Sequence, residues 1–178
     1  MNIKKLAVIA SLSLLSLSVL AGGVDSNEKS KYFRVGYNLL TYDESPFSDA
    51  DLSAVDVGIG MFFNKNFGVE ARLGVGLGDD TISGIKLELN NYFGIYARGE
   101  IPLPNRFSVY GLLGVAAVDL KASAGGIQAS AVDNDISYGV GVMYSINNKS
   151  SVGLEYLMLY DEGPTQIDGL SINYQMKF

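Results

Sequence analysis

Few side chains in this sequence can do chemistry, and they are of restricted types. The 178 residues include no Cys and no His, which removes the thiolate nucleophile and metal ligand, the disulfide, the acylated lipoprotein cysteine and the commonest general base. Carboxylates, guanidiniums, amines and hydroxyls remain. Glu70 and Glu155 are of the type a hydrolase pairs, but Arg72 and Arg98 share their strand faces. That company reads as an interior ion network, because buried charges need opposite partners to offset desolvation. Asp79-Asp80 and Asp133-Asn134-Asp135 offer oxygen ligands suited to a hard cation. Neither brings a full ligand set, and both read as solvated loop acids. Gly74-Val75-Gly76-Leu77-Gly78 has the glycine density of a phosphate loop, but no helix pattern follows, so these glycines read as small interior residues of a strand. No catalytic, cofactor-binding or metal-binding residue is assigned, and the chain is expected not to be an enzyme. A net charge of -6 argues against a nucleic-acid partner.

The elements that carry these residues have a period of two. In 67–78 the odd positions Phe67, Val69, Ala71, Leu73, Val75 and Leu77 are apolar, and the even ones are Gly, Glu or Arg. That is a strand with one greasy and one polar face. The same parity along the chain predicts eight strands, at about 31–42, 51–63, 67–78, 84–101, 106–121, 135–147, 150–161 and 167–178. Outward sets include Phe33, Val35, Tyr37 and Leu39 in the first strand, and Val152, Leu154, Tyr156, Met158 and Tyr160 in the seventh. Asn91 breaks the stripe of the fourth strand, and the inward face of 106–121 stays open because both faces are apolar. Tight turns rich in Asn and Pro (64–66, 102–105 and 147–149) alternate with longer connections at 43–50, 79–83, 122–134 and 162–166. Short turns at one end and long loops at the other are the pattern of a transmembrane barrel.

Charge decides which face is wet. Eleven of the 19 acids fall in or beside the longer connections. On the polar strand face, parity places Arg34, Asp56, Glu70, Arg72, Lys86, Glu88, Arg98, Glu100, Asp119, Lys121, Glu155 and Lys177, six of each sign. No charge is expected on the apolar face within a strand body, where Arg or Lys near the midplane would cost about 2–4 kcal/mol. A soluble lipocalin-like barrel inverts the assignment and puts these charges outside. Long aromatic-rich apolar stripes and a glycine-rich polar face favour the membrane version, with an interior only wide enough for side chains.

Residues 1–21 read as a cleaved signal peptide. Lys4 and Lys5 precede an apolar run that ends in Val19-Leu20-Ala21. Residues 22–30 are then a short leader and 31–178 the barrel. Cleavage takes the net charge from -6 to -8. A mature start at Gly22 or Gly23 is expected.

The C-terminal residue Phe178 follows an apolar residue at every second position back to Leu170. It resembles the terminal strand by which assembly machinery recognises outer-membrane barrels. With Tyr92-Phe93-Gly94-Ile95-Tyr96-Ala97-Arg98-Gly99-Glu100 and Val109-Tyr110-Gly111-Leu112-Leu113-Gly114, residues 31–178 resemble the small outer-membrane β-barrel family, porin-like or OmpA-type, which includes opacity-protein and OmpX/Ail surface antigens. The resemblance implies an all-β, eight-stranded antiparallel up-and-down barrel, monomeric, in a Gram-negative outer membrane. Partners are then membrane lipids, lipopolysaccharide and the assembly machinery. Both termini would be periplasmic and the acidic loops extracellular. The expected role is envelope-structural or surface-interacting through those loops, with a narrow channel for ions or very small solutes as the alternative.

Overall fold

Strong period-two alternation should fold as a sheet with one face buried, and it does. The computed structural model describes residues 30–44, 49–82, 85–124, 127–163 and 165–178, and these form the strands β1 (Ser30–Glu44), β2 (Ala50–Phe62), β3 (Phe67–Gly76), β4 (Asp79–Ile82), β5 (Ile85–Pro102), β6 (Phe107–Ala124), β7 (Ile127–Ser145), β8 (Ser150–Glu162) and β9 (Thr165–Lys177). The expected signal peptide lies outside the described residues. Every neighbour pair is antiparallel. β1 pairs with β9 and β3 with β5, so eight strands close into an up-and-down barrel, with β4 a short addition along the far end of β5. Closure leaves no unpaired edge within the barrel wall, the condition for a sheet in hydrocarbon.

Alternate residues meet opposite environments. Tyr32, Arg34 and Asn38 are buried while Phe33, Val35, Tyr37 and Leu39 are exposed, and the same split runs through β2, β3 and β9. Ile172 is 65% exposed. Arg at that position is expected to lower folding yield in lipid vesicles, at a cost of about 2–4 kcal/mol, while Ala131→Arg on the projecting hairpin should fold as wild type. Densitometry of the heat-sensitive folded band would read both.

The short turns follow from asparagine chemistry. Asn64 Oδ1 accepts from the N–H groups of Asn66 and Phe67, and Asn147 Oδ1 accepts from those of Lys149 and Ser150, replacing backbone turn bonds. Between β5 and β6, Asn105 and Arg106 have φ of 62° and 69°. The Phe107 N–H bonds Pro104 O at 3.4 Å, which makes a primed turn of the kind whose twist suits a hairpin.

The other end departs from the sequence reading in three ways. In segment 122–134, expected as a loop, residues 122–124 and 127–134 continue the β6–β7 ladder, with Ala122 opposite Ala129 and Asp119 opposite Val132. In segment 162–166, β8 runs to Glu162 and β9 starts at Thr165, the two residues pair with each other, and Gly163 has a φ of 66°. Segment 79–83 contains β4. β5, β6 and β7 are 18, 18 and 19 residues long, against the 9–11 that cross a bilayer. They project well past the membrane at the loop end.

Two bulges correct the predicted faces. In β5 the pairing with β6 skips Asn90, so Leu87 and Leu89 turn inward and are buried, while Lys86 and Glu88 move to the outer wall. β6 is settled by Ser108, Tyr110, Leu112, Ala116 and Val118, all buried. Asp119 and Lys121 therefore face outward too, and Asp119 accepts from Asn90 and Asn91. In β8 the extra residue is Leu159. Met158 and Tyr160, expected outside, are 6% and 7% exposed, and Tyr160 joins the interior cluster. A bulge puts two residues opposite one, so the faces on one side of it are reversed relative to those on the other.

Candidate functional site

The inward parity of β1, β2, β3, β5 and β8 brings Arg34, Asp56, Glu70, Arg72, Arg98 and Glu155 together, each at most 3% exposed. Arg72 is the hub. Its Nε bonds Glu70 Oε1 at 2.5 Å, and its Nη1 and Nη2 bond the two oxygens of Glu155 at 2.6 and 2.8 Å. This two-point geometry is the strong form of an ion pair. Arg98 reaches Glu70 Oε2 at 3.0 Å, Gln175 at 3.1 Å and Glu100 at 2.8 Å. Arg34 lies 3.2 Å from Asp56 and 3.7 Å from Glu70. Tyrosines complete the carboxylate shells. Tyr32 donates to Glu70, Tyr92 to Asp56 at 2.7 Å and Tyr110 to Glu155 at 2.8 Å. The guanidinium of Arg98 also lies 4.1 Å from the centre of the Tyr110 ring.

Interior glycines make room for these rings. A Cβ at Gly60 would stand 2.1 Å from the Tyr32 ring, and one at Gly74 2.1 Å from that of Tyr92. Each bulky tyrosine thus lies over a glycine of the adjoining strand. In the apparent phosphate-loop run 74–78, Gly74 is explained by this packing, whereas a Cβ at Gly76 would meet the Leu89 carbonyl oxygen and one at Gly78 nothing closer than 4.0 Å.

Of the twelve charges expected inside, seven form the network: three arginines against Asp56, Glu70, Glu100 and Glu155. The inner balance is one negative charge rather than neutral. Lys86, Glu88, Asp119 and Lys121 left it through the β5 bulge and the resolved face of β6. Lys177 stands at the turn-end mouth.

Parity alone missed the apolar cap. At the loop end the interior holds Leu40, Leu52, Leu87, Leu89, Leu159 and Ile167 in one buried cluster that continues down to Tyr96 and Tyr110. The doublet Asn90-Asn91, which breaks the alternation, was the trace of it in the sequence. The barrel is thus layered, with an ion network towards the short turns and a greasy plug above it.

The acids weighed as cation ligands do something else. Asp80 accepts from the Asp51 N–H at 3.0 Å and from the Thr81 N–H. Asp133 accepts from the Asn134 N–H, and Asp135 from the Asp161 N–H at 3.3 Å. Each occupies a backbone donor at a strand margin. Among the described residues no three acidic side chains gather as a metal site would require.

The loop end also carries an open edge. β7 pairs with β8 only from Tyr138 to Ser145, while its pairing with β6 runs to Ile127. The Ser145 N–H points to Arg106 O on the β6 side and the Ile146 N–H to Ser150 O on the β8 side. By antiparallel alternation the even residues Ser130 and Val132 therefore turn their backbone groups to the side that has no ladder partner among the described residues, and the Asn134 N–H on that side is taken by Asp133. Two side chains bridge the start of the gap, Ser137 to Met158 O and Asp135 to the Asp161 N–H.

Comparison with known proteins agrees with this architecture. Residues 7–178 match the family described as outer membrane protein beta-barrel domain. No curated protein matches. Among solved structures, the attachment invasion locus protein Ail of Yersinia pestis is similar at a TM-score of 0.67 and 17% identity, over 85% of this chain and 99% of that one. Neisserial surface protein A gives 0.64 and 15%, over 85% and 100%. The N-terminal β-barrel domain of Pseudomonas aeruginosa OprF gives 0.55 and 12%, over 82% and 97%. At these identities the likeness is one of fold. With a closed eight-stranded barrel, an apolar outer wall and a match over nearly its whole length, the chain belongs to the outer membrane protein beta-barrel family.

Proposed function

We propose that this is a non-enzymatic, monomeric surface barrel whose work is done by the projecting β5–β7 arms rather than through its interior. The short turns and both termini then face the periplasm, and the strand ending at Phe178 is the segment offered to the assembly machinery. The observation that carries the reading is the open margin of β7. An unpaired, exposed strand edge above the membrane is a template for an extended segment of another chain, which adds main-chain hydrogen bonds to the sheet. Val132 and Ile136 are 68% and 58% exposed there, and Asp133, Asp135 and Asp161 flank the gap, so a partner strand with basic and apolar residues is complementary. Ail of Yersinia pestis has been solved with the heparin analogue sucrose octasulfate. The acidic margin here disfavours a polyanion of that kind.

The test is anisotropy of a labelled, extended Lys-containing peptide against refolded protein. Val132→Pro, which removes one free edge N–H, is expected to weaken binding about tenfold with no change in folded yield. Equal affinity would refute the edge reading. In planar bilayers the capped interior should give no steady current. Regular ion-selective steps altered by Glu70→Gln would replace this reading with a narrow channel.

A further inference from the structure

Two features of the outer wall below the projecting arms are unused by the surface role. The first is a furrow. Cross-strand neighbours Phe67, Gly99, Gly111, Val140, Tyr156 and Leu170 form one row across five ladders. Gly99 and Gly111 sit side by side in it, facing outward. A Cβ at either would meet nothing closer than 3.8 Å, so glycine is not required there by the barrel's own packing. Ile101, Val109, Val142 and Leu154 rise along one side. The resulting furrow has a volume of about 760 Å³ and an almost wholly apolar lining. Strands in such barrels tilt by about 35–45°, so a row perpendicular to them climbs obliquely through the apolar belt.

The second feature is a polar cleft of about 450 Å³ at the short-turn end, lined by Arg106 and 145–149, including Lys149. No acidic side chain lines it. Arg106 Nη1 bonds Ile146 O at 3.2 Å, tying the two turns together. Arg106 also holds the second left-handed position of its turn, where glycine is the ordinary choice. Between cleft and furrow stand Phe107 and Tyr144, ring centres 5.1 Å apart, at the depth where aromatic girdles mark the headgroup boundary.

We propose that an anionic glycerophospholipid of the inner leaflet docks on this wall, with its phosphate between Arg106 and Lys149 and an acyl chain in the furrow over Gly99 and Gly111. The assignment to the inner leaflet rests on the periplasmic placement of the short turns given above. Charge and apolar surface follow one another along the wall in the order in which a phospholipid presents them. Two basic side chains beside the phosphate favour an anionic over a zwitterionic headgroup by about tenfold or more.

The test uses the full barrel refolded in detergent with phosphatidylglycerol or phosphatidylcholine of identical chains, retained lipid being counted by native mass spectrometry. Wild type should hold one phosphatidylglycerol, preferred about tenfold. Arg106→Gly with Lys149→Gln should bring the preference to within about twofold while chain retention persists; glycine suits the turn, and folding is read from the heat-sensitive gel band. Gly99→Leu with Gly111→Leu should cut retention of both lipids at least fivefold. If the double charge variant does not fold, raising salt on wild type should erase the headgroup preference in the same way. Four results would overturn the proposal: equal retention of the two lipids by wild type, undiminished retention by the leucine variant, a dimer in place of bound lipid, or displacement by equimolar lipid A. Labelling of the Arg106 turn from outside intact cells would instead overturn the orientation alone, leaving the lipid count as it stands.

Discussion

Arg72→Ala is expected to destabilise the folded barrel by about 3–5 kcal/mol, the cost of leaving buried carboxylates without their cation. Glu70 keeps Arg98 at 3.0 Å and Arg34 at 3.7 Å. Glu155, stripped of its two-point guanidinium contact, keeps the Tyr110 hydroxyl, so most of the loss should reside there. Adding Glu155→Gln to Arg72→Ala should therefore recover part of it, and a double-mutant cycle isolates the coupling. Urea unfolding in lipid vesicles is the measurement. A loss below about 1 kcal/mol would mean that water reaches the network and solvates the orphaned acid, which the apolar cap above it should prevent.

Gly114→Val should be more damaging still, while Gly111→Leu three residues away should fold normally. A Cβ at Gly114 would stand 1.9 Å from the carbonyl oxygen of Ile95 and 2.8 Å from the Cα of Tyr96. Backbone of the neighbouring strand cannot rotate aside as a side chain can, so the β5–β6 ladder itself must shift. Overpacking against movable groups costs typically about 1–3 kcal/mol, and this contact should exceed that range and abolish the folded band. At Gly111 the nearest atom to a new Cβ is Gly139 O, at 3.9 Å. Folding of Gly114→Val at wild-type yield would show that the two strands are further apart than described.

How much of this was legible in the sequence depends on distance along the chain. The faces of β1, β2, β3 and β9 follow from alternation alone, because a two-residue period needs no knowledge of neighbours; Arg34 inside and Val35 outside could be assigned directly. The turns at 64–66 and 147–149 were equally plain, since Asn chemistry acts over two or three residues. Bulges were not legible. Whether Asn90 or Asn91 is the extra residue depends on β6, and whether Leu159 is extra depends on β9, so Leu87, Leu89 and Tyr160 were placed on the wrong side. The projecting hairpin was hidden for a related reason. Segment 122–134 has the small polar composition of a loop, and only pairing across the hairpin holds 122–124 and 127–134 as strand. At the site, the buried arginines and acids could be named from parity, but not which acid each would choose. Arg72 finds Glu155 across a separation of 83 residues.

The seam between β1 and β9 has a consequence in time. Tyr32 to Glu44 pair with Lys177 to Thr165 in unbroken antiparallel register, so the first strand of the barrel needs the last one, β9, as its second neighbour. No partial product can close its wall, and until closure both strands present unpaired edges with apolar stripes that neither water nor lipid accommodates. Contacts of such long sequence separation form slowly, and the unclosed chain is prone to aggregate meanwhile. Closure must therefore wait until β9 has been made. The rate of appearance of the barrel is governed by delivery of the last strand, whatever the order in which the other hairpins form.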